Sequence, residues 1–228
     1  LFEPQEQNPM IGLRGASRYN DEKFRPAFEM ECRSIKKVRE EFGLKNIWLM
    51  VPFCRTIEEG QGVLSLMKKF GLSSSFAKAS EDDQNLKVLV MCEIPSNVIL
   101  ADEFLEIFDG FSIGSNDLTQ LVLGIDRDAG FGKDIGDERN PAVKKMISEV
   151  IKAGQKQGKY IGICGDAPSA FPEFVEFLVK EGIESISVSP EGLVKTIMEV
   201  SKIESREQVR VPLLRFPPAA ENNKNEHN

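Results

Sequence analysis

The amino-acid sequence predicts an α/β fold with a mainly parallel β-sheet. Short apolar runs alternate with longer amphipathic segments, which is the pattern of repeated strand–helix units. Several of the longer segments begin with proline near the first turn and end near glycine, as helices do. The length and the 41% of hydrophobic residues are sufficient for a sizeable core.

Six short apolar runs are predicted as strands. In chain order they are residues 10–13 (MIGL), 46–51 (NIWLMV), 87–92 (KVLVMC), 110–113 (GFSI), 160–163 (YIGI) and 185–188 (SISV). Six longer segments are predicted as helices, at residues 24–42, 56–70, 98–108, 141–157, 172–181 and 190–202. Glycine follows four of the predicted helix ends, at Gly43, Gly71, Gly158 and Gly182.

Six such units fit either an open doubly wound sheet or most of an eight-unit barrel, which normally needs about 250 residues. Periodicity does not choose between the two. Both folds bind ligands at the carboxyl ends of strands, so the polar residues directly after the apolar runs are the functional candidates. These are Arg14, Arg55, Glu93, Asn116, Asp117, Cys164 and Asp166.

Charge and composition exclude several classes of protein. The 29 Lys and Arg stand against 36 Asp and Glu, a net charge of −7, whereas a nucleic-acid binder carries a basic excess. The apolar runs are far shorter than the roughly 18 residues of a membrane span. Four cysteines without CxxC spacing, and no signal peptide, predict neither a disulfide framework nor a zinc site and favour the cytoplasm.

Three segments do not follow the strand–helix rhythm. Leu1 to Pro9 reads as a linker, and we expect the chain to be a piece of a longer protein. Ser73 to Asn85 is small, polar and acidic, and is predicted as a flexible surface insertion. The tail from Glu204 is assigned no fold; it contains the sole histidine, His227, so histidine chemistry must come from outside this chain.

Two carboxylates occupy strand ends. Glu93 follows the run KVLVMC, and Asp117 follows FSIGSN. Carboxylates on neighbouring strand ends suit a hard divalent cation such as Mg²⁺, which takes oxygen ligands and keeps waters for substrate. The alternative is that each caps the following helix or pairs with a surface lysine.

Two arginines are candidates for anion binding. Arg14 lies between Gly12-Leu13 and Gly15, where small residues allow close backbone approach and the guanidinium can grip phosphate or carboxylate with two bonds. An ordinary surface arginine explains it equally well. Arg55 in PFCRT is the weaker candidate on sequence grounds.

Cys164 lies at a predicted strand end, in the sequence GICGD, with Gly162 two residues before it and Gly165 directly after it. A thiol with a reference pKa near 8.5 can give a proton or, as thiolate, take one. Cysteine is also a common buried small residue, and we interpret Cys32, Cys54 and Cys92 in that way.

Six sequence blocks carry a resemblance to a known family. They are NPMIGLRGASRY, VPFCRT, MCEIPSN, DGFSIGSNDLTQLVLGIDRD, DERNPAV and GICGDAPS. In this order and approximate spacing they resemble the C-terminal domain of the phosphoenolpyruvate (PEP) synthase family, also called pyruvate, water dikinases, from about Asn8 to Ile203. Pyruvate, phosphate dikinase and enzyme I of the bacterial sugar phosphotransferase system share the general plan, and dikinase-like or enzyme I-like PEP-utilising enzymes are the alternatives.

The resemblance implies a PEP/pyruvate-binding (β/α)8 TIM-type barrel over residues 1–203, lacking about the first two βα units, followed by a flexible tail at 204–228. It implies Mg²⁺, or Mn²⁺, held by Glu93 and Asp117. Arg14 would bind phosphate and Cys164 would transfer a proton. The implied substrate-binding residues are Arg14, Arg55, Gly114, Ser115 and Asn116.

The implied reaction needs further domains. A nucleotide-binding domain and a swivelling phosphohistidine domain would carry phosphate from ATP to the enolate of pyruvate, with water as the final acceptor, and the enzyme would form a homodimer. The isolated chain is then expected to make no PEP by itself. A non-catalytic dimerisation fragment is the alternative of another class; Mg²⁺-dependent pyruvate binding separates it from the enzymes.

Overall fold

The computed structural model describes residues 3–72, 86–126 and 135–207. Within these ranges the strands are β1 (Leu49–Val51), β2 (Val88–Cys92), β3 (Gly110–Gly114), β4 (Tyr160–Cys164) and β5 (Ser185–Ile186). The α-helices are α1 (Ala16–Asn20), α2 (Arg25–Glu40), α3 (Ile57–Lys69), α4 (Pro95–Ile99), α5 (Ala101–Ile107), α6 (Ser115–Leu123), α7 (Pro141–Gln157), α8 (Ala167–Ala170), α9 (Pro172–Glu181) and α10 (Leu193–Glu207). None of the described helices is long and apolar enough to cross a membrane.

The strands form one parallel sheet in the order β1-β2-β3-β4-β5. Each strand is therefore a spatial neighbour of the next strand along the chain, and the order never reverses. A doubly wound sheet has such a reversal at its switch point, whereas a barrel is wound in one direction. The sheet is an arc of a (β/α) barrel, which confirms the barrel and excludes the doubly wound alternative.

The core lies between the sheet and the helices that cover it. Phe104 of α5 packs against Phe111 of β3 with ring centroids 6.2 Å apart, and both side chains are fully buried. Ile147 and Ile151 of α7 are also fully buried, and their spacing of four residues places them on one face of the helix. This packing holds β3 and β4 in place, so the residues at their carboxyl ends have fixed positions.

The predicted strand at residues 10–13 is wrong. Pro9–Ile11 forms a short 3₁₀ helix that ends at Gly12. Pro9 presets a helical φ at the first position, and the Asn8 side chain accepts a hydrogen bond from the Met10 N–H at 3.1 Å. Local capping therefore outweighs the apolar run, and Arg14 lies on a loop and not at a strand end.

The helix prediction differs from the structure in five places. Helices α1, α6 and α8 were not predicted, because short helices leave too few turns for a periodic pattern. The predicted helix 98–108 is two helices, separated at Leu100. Helix α10 continues to Glu207, so the first four residues of the predicted tail are helical. The predicted insertion at residues 73–85 and residues 208–228 lie outside the described residues.

Candidate active site

The carboxyl ends of β2, β3 and β4 bring the predicted residues together at one edge of the sheet. Glu93 follows β2, Asp117 lies in the first turn of α6 directly after β3, and Cys164 ends β4. Arg14 reaches the same place from the loop between the 3₁₀ helix and α1. Parallel strands make this convergence possible, because their carboxyl ends all face the same way.

Glu93 is buried, with 2% of its surface exposed. Its Oε1 accepts a hydrogen bond from the Phe53 N–H at 2.6 Å, and its own N–H donates to Asn97 Oδ1 at 3.3 Å. Asn97 is fully buried and also donates to the Cys54 carbonyl at 2.7 Å. Among the residues that the structure describes, Glu93 therefore neither caps a helix nor meets a surface lysine, and Phe53 and Asn97 hold it in place.

Arg14 and Asp117 form a two-bond ion pair. The two terminal nitrogens of Arg14 lie 3.4 and 3.3 Å from Asp117 Oδ1 and Oδ2. The same guanidinium donates to the Met10 carbonyl at 3.0 Å and lies 4.2 Å from the centre of the Phe53 ring. Arg14 is thus a positioned cation at the mouth of the site, with a cation–π contact beneath it.

The two carboxylates sit close enough to affect one another. Burial raises the pKa of Glu93 to about 7, and the nearby negative charge of Asp117 adds to the rise. An interaction between the Glu93 and Asp117 side chains adds to this rise, which indicates that the two carboxylates lie next to each other.

A divalent cation bound between the two carboxylates would offset the repulsion between their negative charges. Among the described residues, no third Asp, Glu, His or Cys joins Glu93 and Asp117 in a metal-binding group. Two protein oxygens with the remaining positions open is the ligand set of Mg²⁺, which keeps waters or substrate oxygens. The residues present therefore fit this metal.

Arg55 lies beside the site, but its contacts are with other residues of this polypeptide. It donates to Ser17 Oγ at 3.0 Å and to the Ile11 carbonyl at 3.2 Å, and it lies 3.8 Å from Glu59. Its guanidinium also lies 4.8 Å from the centre of the Phe53 ring. Arg55 thus fixes the loop that carries Arg14, and its contact with a substrate anion stays a prediction.

Gly114 ends β3, and Ser115 and Asn116 begin α6 directly after it. A Cβ on Gly114 would lie 2.6 Å from Glu93 Oε2, so glycine is what lets the end of β3 approach the carboxylate. Asn116 Nδ2 donates to Asp166 Oδ2 at 3.1 Å, and the Asp166 N–H donates back to Asn116 Oδ1 at 3.4 Å. The start of α6 and the loop after β4 are therefore joined.

Cys164 is half-buried, whereas the other three cysteines are buried as predicted. The Ser112 hydroxyl donates to its sulfur at 3.8 Å. Burial raises the pKa of the Cys164 thiol, and the charges of Glu93, Asp117 and Glu138 raise it further, against the lowering effect of Ser112. Without a bound cation, Cys164 is therefore a thiol at neutral pH, the form that donates a proton.

Two residues of the site were not predicted. Phe53 supplies the N–H for Glu93 and the ring beneath Arg14, and it does so at a φ of 42°, unusual for a residue with a side chain. Glu138, in the DERNPAV block, is buried beside the loops after β3 and β4. The only sequence signal for either was its place in a recognised block.

Gly165 is a position where we expect substitution to destabilise the site strongly. Its φ is 153°, and a Cβ there would overlap Ser115 Oγ and lie 2.6 Å from Glu138 Oε1. Gly165→Ala should lower the free energy of unfolding by about 3 kcal/mol, from backbone strain and steric overlap together. Urea unfolding of the 228-residue chain measures this.

Gly43→Ala is the matched control. Gly43 has a φ of 71° but nothing within 4 Å of an added Cβ, so it reports backbone strain alone, about 1 kcal/mol. Equal losses for the two variants would mean that Gly165 is not in close contact with Ser115 and Glu138.

Comparisons with known proteins agree with one another. The family model described as "PEP-utilising enzyme, PEP-binding domain" matches residues 1–205. PEP synthase of Pseudomonas aeruginosa is 55% identical over 86% of this chain and 24% of its own length. PEP synthase of Synechocystis is 53% identical over 89% of this chain and 24% of its own length. The chain therefore spans about a quarter of the relatives it matches.

One solved structure, an HpcH/HpaI aldolase from Desulfitobacterium hafniense, aligns with a TM-score of 0.44 and 18% identity, over 69% of this chain and 63% of that one.

Proposed function

Since the chain belongs to the PEP-utilising enzymes through their PEP-binding domain, we propose that it is the PEP- and pyruvate-binding domain of a PEP synthase. The whole enzyme would convert ATP, pyruvate and water to AMP, PEP and phosphate. One observation carries the proposal: the buried carboxylate of Glu93 and the partly buried carboxylate of Asp117 meet one arginine and one half-buried thiol at the edge of the sheet where a barrel binds ligands.

Glu93 and Asp117 are the residues that would hold Mg²⁺ or Mn²⁺. When bound, the cation supplies Lewis acidity for the pyruvate oxygens. The chain's part is to keep the two carboxylates in place, through the Phe53 N–H and Asn97 for Glu93 and the first turn of α6 for Asp117. Phe53 is 2% exposed, and its ring lies 4.2 Å from the guanidinium of Arg14.

Cys164 is the group that would move the methyl proton. As thiolate, its sulfur takes a proton from the methyl carbon of pyruvate, leaving the electron pair on the enolate; in reverse, its S–H returns a proton to the methylene carbon. Burial, and after it the charges of the neighbouring carboxylates, raise the pKa of Cys164 and favour its thiol form. Neutralisation of the carboxylates by a cation would lower that pKa and favour the thiolate that the forward direction needs.

Arg14 would neutralise the oxygens of the incoming phosphoryl group. Its planar guanidinium can make two parallel hydrogen bonds to an anion, as it does here to Asp117. Electrostatic stabilisation of this kind is the main contribution that a protein makes to phosphoryl transfer. Arg55, Gly114, Ser115 and Asn116 would shape the substrate pocket around it.

The rest of the enzyme is also part of the proposal. A nucleotide-binding domain and a phosphohistidine domain would deliver the phosphoryl group, and the enzyme would act as a cytoplasmic homodimer in gluconeogenesis. The names of the relatives favour the synthase over a pyruvate, phosphate dikinase or an enzyme I.

Binding of pyruvate to the full-length protein tests the proposal. Calorimetric titration with pyruvate should show saturable binding in Mg²⁺ and loss of that binding after chelation of the metal, because the carboxylate pair alone repels the anion. Binding that is equally strong without metal, or no binding in either condition, would overturn the proposed function.

A further inference from the structure

Glu138 connects the starts of the two helices that follow β3 and β4. Its Oε2 accepts a hydrogen bond from the N–H of Ala167, the first residue of α8, at 2.7 Å. Its Oε1 contacts the Oγ of Ser115, the first residue of α6. Ser115 Oγ also lies 2.9 Å from the Cys164 carbonyl oxygen. One buried side chain therefore links the first turn of α6, which carries Asp117, with the strand end at Cys164.

The number of available hydrogens limits which group can donate in each of these contacts. Ser115 has one hydroxyl hydrogen, and the Cys164 carbonyl can only accept. If Ser115 donates to that carbonyl, the hydrogen between Ser115 and Glu138 must come from Glu138. Burial raises the pKa of Glu138, and the nearby charges of Asp166 and Asp137 add to the rise, against the lowering effect of its hydrogen bonds to Ser115 and the Ala167 N–H.

We propose that Glu138 is a positioning residue for proton transfer. Through its contacts with Ser115 and the Ala167 N–H, it fixes the positions of Cys164 and Asp117 relative to each other. The inference rests on the proposed function. It deepens that function by assigning a role to a residue that touches neither the carboxylate pair nor the thiol sulfur in the described contacts.

The surroundings of Glu138 support a precise fit. Gly165 leaves no room for a Cβ between Ser115 and Glu138, so the three groups are in close contact. Asn116 and Asp166 make a second, more exposed link, between the start of α6 and the loop after β4. Because this second link is exposed to water, the buried link through Glu138 is the one expected to set the position of Cys164.

Substitutions in the full-length protein test this role. Glu138→Gln keeps one donor for Ser115 and one acceptor for the Ala167 N–H, so it should keep the network. Glu138→Ala removes both contacts, and Glu138→Asp is too short to make both, which provides a milder variant should the alanine variant not fold. Glu184→Ala is the matched control: Glu184 accepts a hydrogen bond from the Ile161 N–H at the opposite end of β4.

Exchange of the pyruvate methyl protons with deuterated water, measured against pyruvate concentration with Mg²⁺, gives a rate and a half-saturation value. Glu138→Ala and Glu138→Asp should lower the saturated rate by roughly 10- to 100-fold, the cost of a small misplacement, while half-saturation changes little. Glu138→Gln and Glu184→Ala should exchange near the wild-type rate. Alkylation of Cys164, followed on its peptide by mass spectrometry, should be faster in Glu138→Ala and Glu138→Asp only, because the strand end is released.

The outcomes separate the two proposals. Absence of exchange in the wild-type protein would overturn the proposed function and, with it, this inference. Wild-type exchange with an unchanged rate in Glu138→Asp or Glu138→Ala, or an equal loss in Glu184→Ala, would overturn the role of Glu138 alone.

Discussion

Glu93→Gln in the full-length protein is expected to abolish turnover without unfolding the domain. The amide can still accept the Phe53 N–H that now binds Glu93 at 2.6 Å, so the loop should keep its shape. It cannot supply the negative charge that a divalent cation needs. Asp117→Asn should act in the same way, by keeping the size of the side chain while removing its charge.

Titration with Mn²⁺, followed by electron paramagnetic resonance, measures the loss of metal binding independently of activity. We expect each variant to bind Mn²⁺ more weakly by about 100-fold or more, since even outer-shell partners contribute up to about that factor. Asp102→Asn is the control: Asp102 pairs with Lys156 at 2.7 Å on the surface of α5, and its variant makes the same change of charge. Metal-dependent turnover in either site variant would remove that residue from the metal site.

Cys164→Ser is expected to stop proton exchange at the pyruvate methyl while PEP still binds. Serine keeps the approximate size and the contact with Ser112, but its hydroxyl does not ionise in the working pH range. We expect the exchange rate to fall by about 100-fold or more, within the range that positioned acid–base groups contribute. Proton NMR of pyruvate in deuterated water measures the rate, and calorimetry measures PEP binding.

Cys32→Ala provides the comparison for Cys164→Ser. Cys32 is a buried thiol of α2, away from the strand ends, so its loss should change stability and leave the exchange rate as it was. Exchange at the wild-type rate in Cys164→Ser would mean that another group moves the proton.

Much of the sheet could be predicted because its strands are simple apolar runs. The run at β2 is almost wholly buried and β3 is buried throughout, so their sequences carry an unmistakable signal. The strand predicted at residues 10–13 failed because Asn8 and Pro9 favour a 3₁₀ turn locally. Helix α6 was missed because it is short and begins directly at the Gly114 turn, without a conventional side-chain cap.

The sequence predicts only those features of the site that follow from the positions of the strand ends. Glu93 and Cys164 follow apolar runs, so their shared location followed from the direction of the strands. The contacts that orient them join residues far apart in sequence. Phe53 meets Glu93 across 40 positions, and Glu138 meets Ala167 across 29. Hydrophobic patterning contains no signal for such pairs, because it records burial and not which loops meet.

Deuterium incorporation into the methyl group of pyruvate by the wild-type full-length protein tests whether this edge of the barrel removes and returns a methyl proton with the help of a divalent cation at Glu93 and Asp117. We predict exchange that requires Mg²⁺ or Mn²⁺ and stops when the metal is chelated. Pyruvate that keeps all its methyl protons in the presence of metal, or exchanges them equally without it, would contradict this account.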